Sequence, residues 1–226
     1  MIKVMNPLAE PLDLYNARGE PLGLTKPREL VHRDGDWHKT FHCWVIYTDP
    51  SGQDMLVFQK RGRQVEHWPD KLDITAAGHY RSGEGIEGGI REIQEELGMA
   101  VTVEQLIYAG TRVCVDEFQP GLIEHAFQEI FFLVDHRDLM SYTPQAEEVG
   151  GFVVVPILPL LQLRADEIKL IVASGVILQD AGEKSPLKPH KFVVEQSDFI
   201  PSLDRYYHRV AVLAQRILRG EKYLWI

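Results

Sequence analysis

The stretch Gly78–Met99, GHYRSGEGIEGGIREIQEELGM, constrains the fold more than any other part of this chain. It contains six glycines and five glutamates. Gly98 stands near its end, and glycine tolerates the left-handed conformation in which many helices terminate. Before Gly98, apolar residues recur at the spacing of one helix face; they are Ile86, Ile90, Ile93 and Leu97. The pattern predicts a helix over Ile86–Leu97 whose apolar side lies on a sheet.

Three glutamates of this predicted helix repel one another. Glu92, Glu95 and Glu96 stand at i, i+3 and i+4, so their side chains project from neighbouring points of one face. The only basic residue nearby is Arg91, which can orient Glu95 through a charge-assisted hydrogen bond. Converging carboxylates are hard oxygen ligands, which suit Mg²⁺ or Mn²⁺, and a divalent ion removes their repulsion. The cluster therefore predicts a divalent metal site.

Two glycines lie inside the predicted helix. Gly88 and Gly89 each destabilise a helix by roughly 1 kcal/mol relative to alanine. Such a loss is understandable where the helix backbone must approach another layer closely, because glycine has no Cβ. We therefore expect another layer of the fold to contact the helix at these two positions.

Composition and charge exclude several classes of function. The 226 residues carry 24 basic and 33 acidic side chains, a net charge of −9. This sign is wrong for general attraction to nucleic acid or to anionic membranes, so we expect neither as a partner. No apolar run approaches the length needed to span a bilayer. Cys43 and Cys114 lie in apolar runs, which favours buried free thiols and a cytoplasmic protein.

The rest of the chain predicts strands followed by helices. Two hairpins are predicted, LDLYNARGEPLGLTKP with a turn at Asn16–Gly19 and FHCWVIYTDPSGQDMLVFQKR with a turn at Asp49–Gly52. VGGFVVVPILPLLQL predicts a strand and then a proline-interrupted turn. ADEIKLIVASGVILQ predicts an amphipathic helix, AGEKSPLKPHK an exposed loop, and residues 201–219 a closing helix.

The glutamate-rich stretch resembles the signature of the Nudix hydrolase family. That signature runs G, five residues, E, seven residues, R-E-U-x-E-E-x-G-U, in which U is a bulky aliphatic residue. This chain has Gly78, five residues, Glu84, six residues and then REIQEELGM from Arg91, so every fixed position is filled and one spacer residue is missing. The resemblance implies an α/β fold, a Nudix-type α/β/α sandwich with a mixed β-sheet.

A second resemblance is to isopentenyl diphosphate isomerases, which share the Nudix fold. This chain shows two early histidines, then HWPDKLDITAAGHY, and later HAFQEIFFLV. Ala77 stands where the isomerases have a catalytic cysteine, and Phe127 where they have the first of two glutamates. Neither side chain can move a proton, so the chain looks like an isomerase-like Nudix protein without isomerase chemistry. The resemblance implies four further metal ligands: His32, His38, His79 and Glu129.

The Nudix resemblance also implies a reaction, in which water cleaves the pyrophosphate linkage of a nucleoside diphosphate derivative or another organic diphosphate. The implied cofactor is Mg²⁺ or Mn²⁺. As the general base we prefer Glu129, while Glu147 and Glu148 stay open. The implied catalytic and metal-holding groups on the signature are the Gly78 carbonyl and the carboxylates of Glu92, Glu95 and Glu96.

The substrate, a small-molecule diphosphate, needs a cationic clamp. Three cations end the segment MLVFQKRGR, and guanidinium groups match phosphate geometry. The candidate phosphate-binding residues are Lys60, Arg61 and Arg63.

Domain organisation follows from the same resemblance. We predict an N-terminal hairpin extension packed on the core over residues 1–36, a Nudix domain over 37–165 and a C-terminal helical extension over 166–226. The apolar end KYLWI packs either on its own domain or on a second copy in a homodimer. Two other functions compete with hydrolysis: diphosphate isomerisation, disfavoured by Ala77, and non-catalytic nucleotide binding, disfavoured by the intact REIQEELG segment.

Overall fold

The computed structural model describes residues 10–119, 121–179 and 186–226. Its first elements are β1 (Pro11–Tyr15), β2 (Pro21–Pro27), α1 (Arg28–Asp34), β3 (His38–Thr48), β4 (Asp54–Arg61), β5 (Leu72–Asp73), β6 (Ala76–His79) and α2 (Ile86–Leu97). The later elements are β7 (Leu106–Gln119), β8 (Leu122–Val134), β9 (Val149–Pro156), α3 (Ile157–Arg164), β10 (Leu170–Leu178), β11 (Leu187–Glu195) and α4 (Tyr206–Leu218). Short 3₁₀ turns lie at Val103–Gln105, Leu139–Ser141 and Gln196–Asp198.

One mixed sheet organises the described residues. Its strands run in the order β11-β10-β9-β4-β3-β8-β7, with β5 paired to β4 and β6 paired to β3. The β3–β8 pair is parallel, and its neighbours β4, β6 and β7 pair antiparallel. Buried residues of α3 and α4 pack on one face, and those of α2 pack on the other. The predicted α/β fold with helices on both faces of a mixed sheet is confirmed.

The helix α2 begins and ends where the sequence pattern predicts. Ile93 and Leu97 are fully buried, and Gly98 adopts φ 71° while its N–H donates to the Gln94 carbonyl. A Cβ on Gly89 would overlap the ring of Phe41 on β3, and a Cβ on Gly88 would overlap the Glu84 carboxylate. The predicted close approach of another layer is therefore confirmed at Gly89, where a strand side chain occupies the space, whereas the neighbour of Gly88 belongs to the loop before α2.

We expect Gly89→Ala to destabilise the protein by up to about 2 kcal/mol. Overpacking against a buried ring typically costs about 1 to 3 kcal/mol, and the gain in helix propensity offsets roughly 1 kcal/mol of it. Chemical unfolding measures the difference. As a control, Phe41→Leu should recover part of the loss in the double variant. A Gly89→Ala protein more stable than the wild type would contradict the close contact.

Both predicted hairpins are present. In the first, the Gly19 N–H donates to the Asn16 carbonyl at 2.9 Å, and the Asn16 side chain accepts from the Arg18 and Glu20 amides. In the second, Gly52 adopts φ 85° and its N–H donates to the Asp49 carbonyl at 2.9 Å. The first hairpin packs on the core through the Tyr15–Trp37 bridge.

Three predictions for the chain after residue 156 are wrong. The proline-interrupted turn is the helix α3, because Pro159 lies in its first turn, where a missing N–H breaks no helical hydrogen bond. The predicted helix over residues 165–179 is instead mostly strand β10, which pairs with both β9 and β11 and buries alternate residues. Of the predicted loop AGEKSPLKPHK, residues 187–191 belong to β11, and residues 181–185 lie outside the described residues.

The closing helix is present as α4, five residues shorter at its start than predicted. After it, the Ile226 N–H donates to the Ala109 carbonyl at 2.7 Å, and the Trp225 ring lies 5.5 Å from that of Tyr108. The KYLWI end therefore packs on its own domain. The part after residue 165 also contains β10 and β11, so it is not purely helical, while the proposed domain limits stay a prediction. Within the described ranges, no helix has the length and apolar character needed to cross a bilayer.

Candidate functional site

Two glutamates of α2 lie beside β6: Glu96 is buried, and the side chain of Glu92 is 12% exposed. The Glu96 carboxylate accepts a hydrogen bond from the Ala77 N–H at 2.8 Å. Burial raises the pKa of Glu96 well above its usual range, and the neighbouring charge of Glu92 adds to the shift. Burial also raises the pKa of Glu92 to about 7, against the opposing charge of Arg91. Two buried carboxylates that disfavour each other's ionisation form a site suited to a cation.

Gly78 lies directly against this pair. A Cβ at Gly78 would overlap the carboxylate of Glu92, so only glycine permits the approach of β6 to α2. This packing places the Gly78 backbone next to a predicted metal-binding carboxylate. Its role as a carbonyl ligand stays a prediction.

Arg91 connects the remaining acids of the signature. Its guanidinium contacts Glu92 at 2.8 Å, Glu95 at 3.0 Å and Glu84 at 3.2 Å. Glu84 also accepts from the Arg81 N–H at 2.9 Å. The missing spacer residue therefore does not remove Glu84 from the site, because the loop before α2 folds back onto Arg91. Glu95 is held by the predicted charge-assisted bond.

The candidate bases differ in their surroundings. Glu129 accepts from Lys39 at 3.1 Å and from the Tyr80 hydroxyl at 2.9 Å. Glu148 lies at the surface, and partial loss of solvent around its carboxyl raises its pKa. The charge of Glu148 in turn contributes to the raised pKa values of Glu92 and Glu96. Among the acids weighed as base, Glu148 is thus the one electrostatically coupled to both buried glutamates.

The three predicted phosphate-binding cations each have an acidic partner. Lys60 binds Asp70 at 2.5 Å, and Arg63 is largely exposed, with Asp70 3.7 Å away. Arg61 binds Asp73 at 3.0 Å. Each side chain is paired with a carboxylate of the loop or strand that follows β4, because β4 ends beside β5. Their role as a phosphate clamp stays a prediction.

Arg28, at the start of α1, is a cation that the sequence analysis missed. Burial raises the pKa of Glu148, and Arg28 is the charge that most opposes the shift. Burial lowers the pKa of His79 well below its usual value, and among the charges Arg28 contributes most. The charge of Arg28 therefore lowers the pKa of both Glu148 and His79. It follows a proline in a turn-like segment, so the sequence offered no signal for it.

Three histidines and a glutamate gather next to this site. Four potential ligand atoms lie within 4.8 Å of one another, and they belong to His32, His38, His79 and Glu124. The Nε2 atoms of His32 and His79 are 3.1 Å apart. In residues 10–119, 121–179 and 186–226, no other group of three or more such side chains brings its potential ligand atoms this close together. Glu92, Glu95 and Glu96 of α2 do not meet this distance.

The fourth member is Glu124, whereas the sequence analysis named Glu129. Residues alternate between the faces of a strand, so positions five apart on β8 lie on opposite faces. His38 pairs with Ala126, and His79 pairs with Thr40, which places both histidines on the face of Glu124. Glu129 pairs with Phe41 on the α2 face. The assignment of Glu129 to the histidines is wrong for this reason, and strand alternation was the signal that could have selected Glu124.

The ring nitrogens of His38 and His32 have surroundings that suit metal binding. His38 Nδ1 donates to the Asp36 carbonyl at 3.1 Å, because a carbonyl can only accept. The buried Nε2 of His38 lies 3.6 Å from a carboxylate oxygen of Glu124 and has no hydrogen-bond partner among the described residues. Burial lowers the pKa of His32 to about 4, so that ring is neutral at pH 7. Imidazole nitrogens and a carboxylate that lie this close together can serve as ligands of one metal ion.

Comparisons with known proteins show the family of this chain. A family model described as the NUDIX domain matches residues 38–172. The chain is 35% identical over 197 residues to an uncharacterized Nudix hydrolase of Clostridium acetobutylicum, covering 87% of this chain and 92% of that protein. It is 30% identical over 143 residues to an isopentenyl-diphosphate Delta-isomerase of Saccharopolyspora erythraea, covering 63% of this chain and 70% of that protein.

Among solved structures, a Deinococcus radiodurans protein is similar with a TM-score of 0.48 and 23% identity, covering 70% of this chain and 90% of that one. The family match runs from the start of β3 into β10 and includes every residue of α2. It spans more than half of the chain, and the clostridial relative matches nearly its whole length. The chain therefore belongs to the Nudix hydrolase family.

Proposed function

We propose that this protein is a Mg²⁺- or Mn²⁺-dependent hydrolase that cleaves the pyrophosphate linkage of a nucleoside diphosphate derivative or another organic diphosphate. The observation that carries the proposal is the pair Glu92 and Glu96 against Gly78. The charge of Arg91 is shared by Glu92 and two other acids, and Glu96 accepts a hydrogen bond from one amide. A hard dication fits such a donor set.

The protein's own groups have distinct tasks in this proposal. Glu92 and Glu96 hold the ion with Glu95 at the rim, and Arg91 keeps Glu92 and Glu95 on the same side of α2. When bound, the ion polarises the phosphoryl oxygens and lowers the pKa of nearby water. Glu148 accepts the proton of the attacking water. We favour it over Glu129 because Lys39 and Tyr80 already occupy both oxygens of Glu129.

A substrate panel tests the function directly. We expect phosphate release from at least one nucleotide or non-nucleotide diphosphate in Mg²⁺ or Mn²⁺, and no release after EDTA. Returning the ion should restore the rate. Tight binding of diphosphates without turnover across the panel would instead favour the non-catalytic nucleotide-binding function.

Isomerisation remains the second candidate because a relative is named as an isopentenyl-diphosphate isomerase. Ala77 weighs against it, because a methyl group cannot exchange a proton with the allylic unit. Formation of the allylic isomer from isopentenyl diphosphate would establish this activity. We propose a cytoplasmic location, supported by the free, buried thiols of Cys43 and Cys114.

We also propose that the histidine cluster holds a second ion, such as Zn²⁺ or Mn²⁺. The orphaned His38 Nε2 and the neutral ring of His32 fit a borderline metal, which prefers imidazole ligands. His32, His38, His79 and Glu124 supply the ligands.

Arg28 is the proposed contact for substrate phosphate. We expect Arg28→Ala to raise KM about tenfold with a smaller change in kcat, because one charge-assisted hydrogen bond is worth about 1.5 kcal/mol. The matched control is Arg63→Ala, which removes an exposed arginine paired with Asp70 and should change KM less than twofold. A larger effect from Arg63 would restore the clamp predicted from the sequence.

A further inference from the structure

The hairpin β10–β11 presents apolar side chains to solvent on one face. Leu170, Val172 and Val193 are 46%, 67% and 61% exposed. Val172 lies directly opposite Val193 in the strand register, and Leu170 is two residues from Val172 on the same face. We call these three residues the hairpin patch. Single exposed apolar residues are normal, whereas a contiguous set on a sheet face indicates an interaction surface.

Opposite charges flank the hairpin patch. On β11, Lys191 and Glu195 lie two residues to either side of Val193, so alternation puts all three on one face. The Lys191 ammonium donates to the Ser174 hydroxyl at 2.6 Å, which keeps it above β10. Along β11 the order is Lys191, Val193, Glu195. When a second copy of β11 runs in the opposite direction, each lysine faces a glutamate and the valines face each other. A two-fold axis across the strands at Val172 and Val193 would bring Lys191 of each copy to Glu195 of the other.

We propose that the hairpin patch is the interface of a homodimer. The arrangement is isologous, with each copy contributing the same surface, as two-fold dimers require. The same axis places Leu170 of one copy opposite Ser174 of the other. Ser174 borders a groove of about 400 Å³, which extends the contact beyond the hairpin patch and is lined by apolar residues such as Met140 and Val176 and by the charged Arg137 and Asp138. A second copy therefore meets apolar side chains at the centre and paired charges at the rim.

Sedimentation of the full chain tests the interface. We expect the wild type to be a dimer with a Kd in the micromolar range or below. Val172→Lys with Val193→Lys should raise the Kd at least about 100-fold by burying two unpaired cations. The matched control is Val113→Lys with Val115→Lys on β7, where the valines are 56% and 58% exposed. The control should leave the Kd unchanged.

A charge exchange tests the register of the two copies. Lys191→Glu and Glu195→Lys should each raise the Kd about tenfold, because each creates two like-charge contacts across the axis. The variant with both substitutions should return to within about threefold of the wild type. Circular dichroism shows whether each variant is folded. If a variant does not fold, the double substitution Val172→Thr with Val193→Thr replaces it. We expect this double variant to raise the Kd about tenfold.

Three outcomes would overturn the proposal. The first is a wild-type protein that stays monomeric at about 100 μM. The second is dissociation by the β7 lysines with none by the hairpin lysines, which would move the interface to β7. The third is an exchange variant as weak as the single variants.

Discussion

Glu96→Gln is expected to lower kcat/KM for the diphosphate substrate about 1000-fold or more. Glutamine keeps the size and the hydrogen bond from Ala77 but cannot supply the negative charge that we propose holds the ion. Metal assistance contributes several kcal/mol to such reactions, and each 1.36 kcal/mol corresponds to a factor of ten in rate. The measurement is phosphate release in saturating Mg²⁺ with the best substrate of the panel.

The matched control for this variant is Glu87→Gln. Glu87 lies on the same helix but is exposed, so its substitution should leave the rate within about twofold. Retention of a tenth of the wild-type rate by Glu96→Gln would contradict the assignment of Glu96 as a metal-holding residue. Glu92→Gln should behave as Glu96→Gln does, because both carboxylates face the same site.

Stability separates loss of the ion from loss of the fold. Without metal, Glu96→Gln should melt at or above the wild-type temperature, because the glutamine amide is neutral in both states, whereas the Glu96 carboxylate must gain a proton or bury its charge on folding. Mg²⁺ at about 100 times its Kd should stabilise the wild type by about 2.7 kcal/mol and the variant by much less. A variant that melts well below the wild type would instead give Glu96 a structural role.

Glu124→Gln is expected to weaken binding of Zn²⁺ or Mn²⁺ to the histidine cluster by about 100-fold or more. The substitution removes the carboxylate charge from the proposed ligand set and leaves a neutral amide beside the Nε2 atom of His38. Outer groups that merely orient ligands change metal affinity about 10- to 100-fold, so loss of a ligand should do at least as much. Titration calorimetry measures the affinity, and the visible spectrum of bound Co²⁺ reports the coordination geometry.

Glu129→Gln provides the comparison for this site. Its side chain lies on the α2 face with Lys39 and Tyr80, so it should leave the affinity of the histidine cluster unchanged within about threefold. A large loss in Glu129→Gln with none in Glu124→Gln would mean that the parallel register of β3 and β8 is shifted by an odd number of residues. Ion binding unaffected by either variant would remove the glutamate from the proposed ligand set.

The sequence alone determined α2 and the grouping of its side chains. Positions i, i+3 and i+4 are neighbours within a single helix, so the repelling glutamates, their apolar underside and the terminal Gly98 could all be read from local spacing. The hairpin turns at Asn16–Gly19 and Asp49–Gly52 were equally local, because their side chains and glycines act within four residues. Even the close approach at Gly89 was predictable from the conformational penalty of glycine in a helix.

Only the tertiary structure decided how separate elements meet. The cluster of His32, His38, His79 and Glu124 draws on α1, β3, β6 and β8, and the register between strands selects Glu124 over Glu129. The segment 170–178 likewise became a strand because β9 and β11 satisfy its backbone on both sides, which local helical periodicity does not reveal. Local spacing specifies contacts within an element, whereas hydrogen bonding between distant strands determines which side chains share a site.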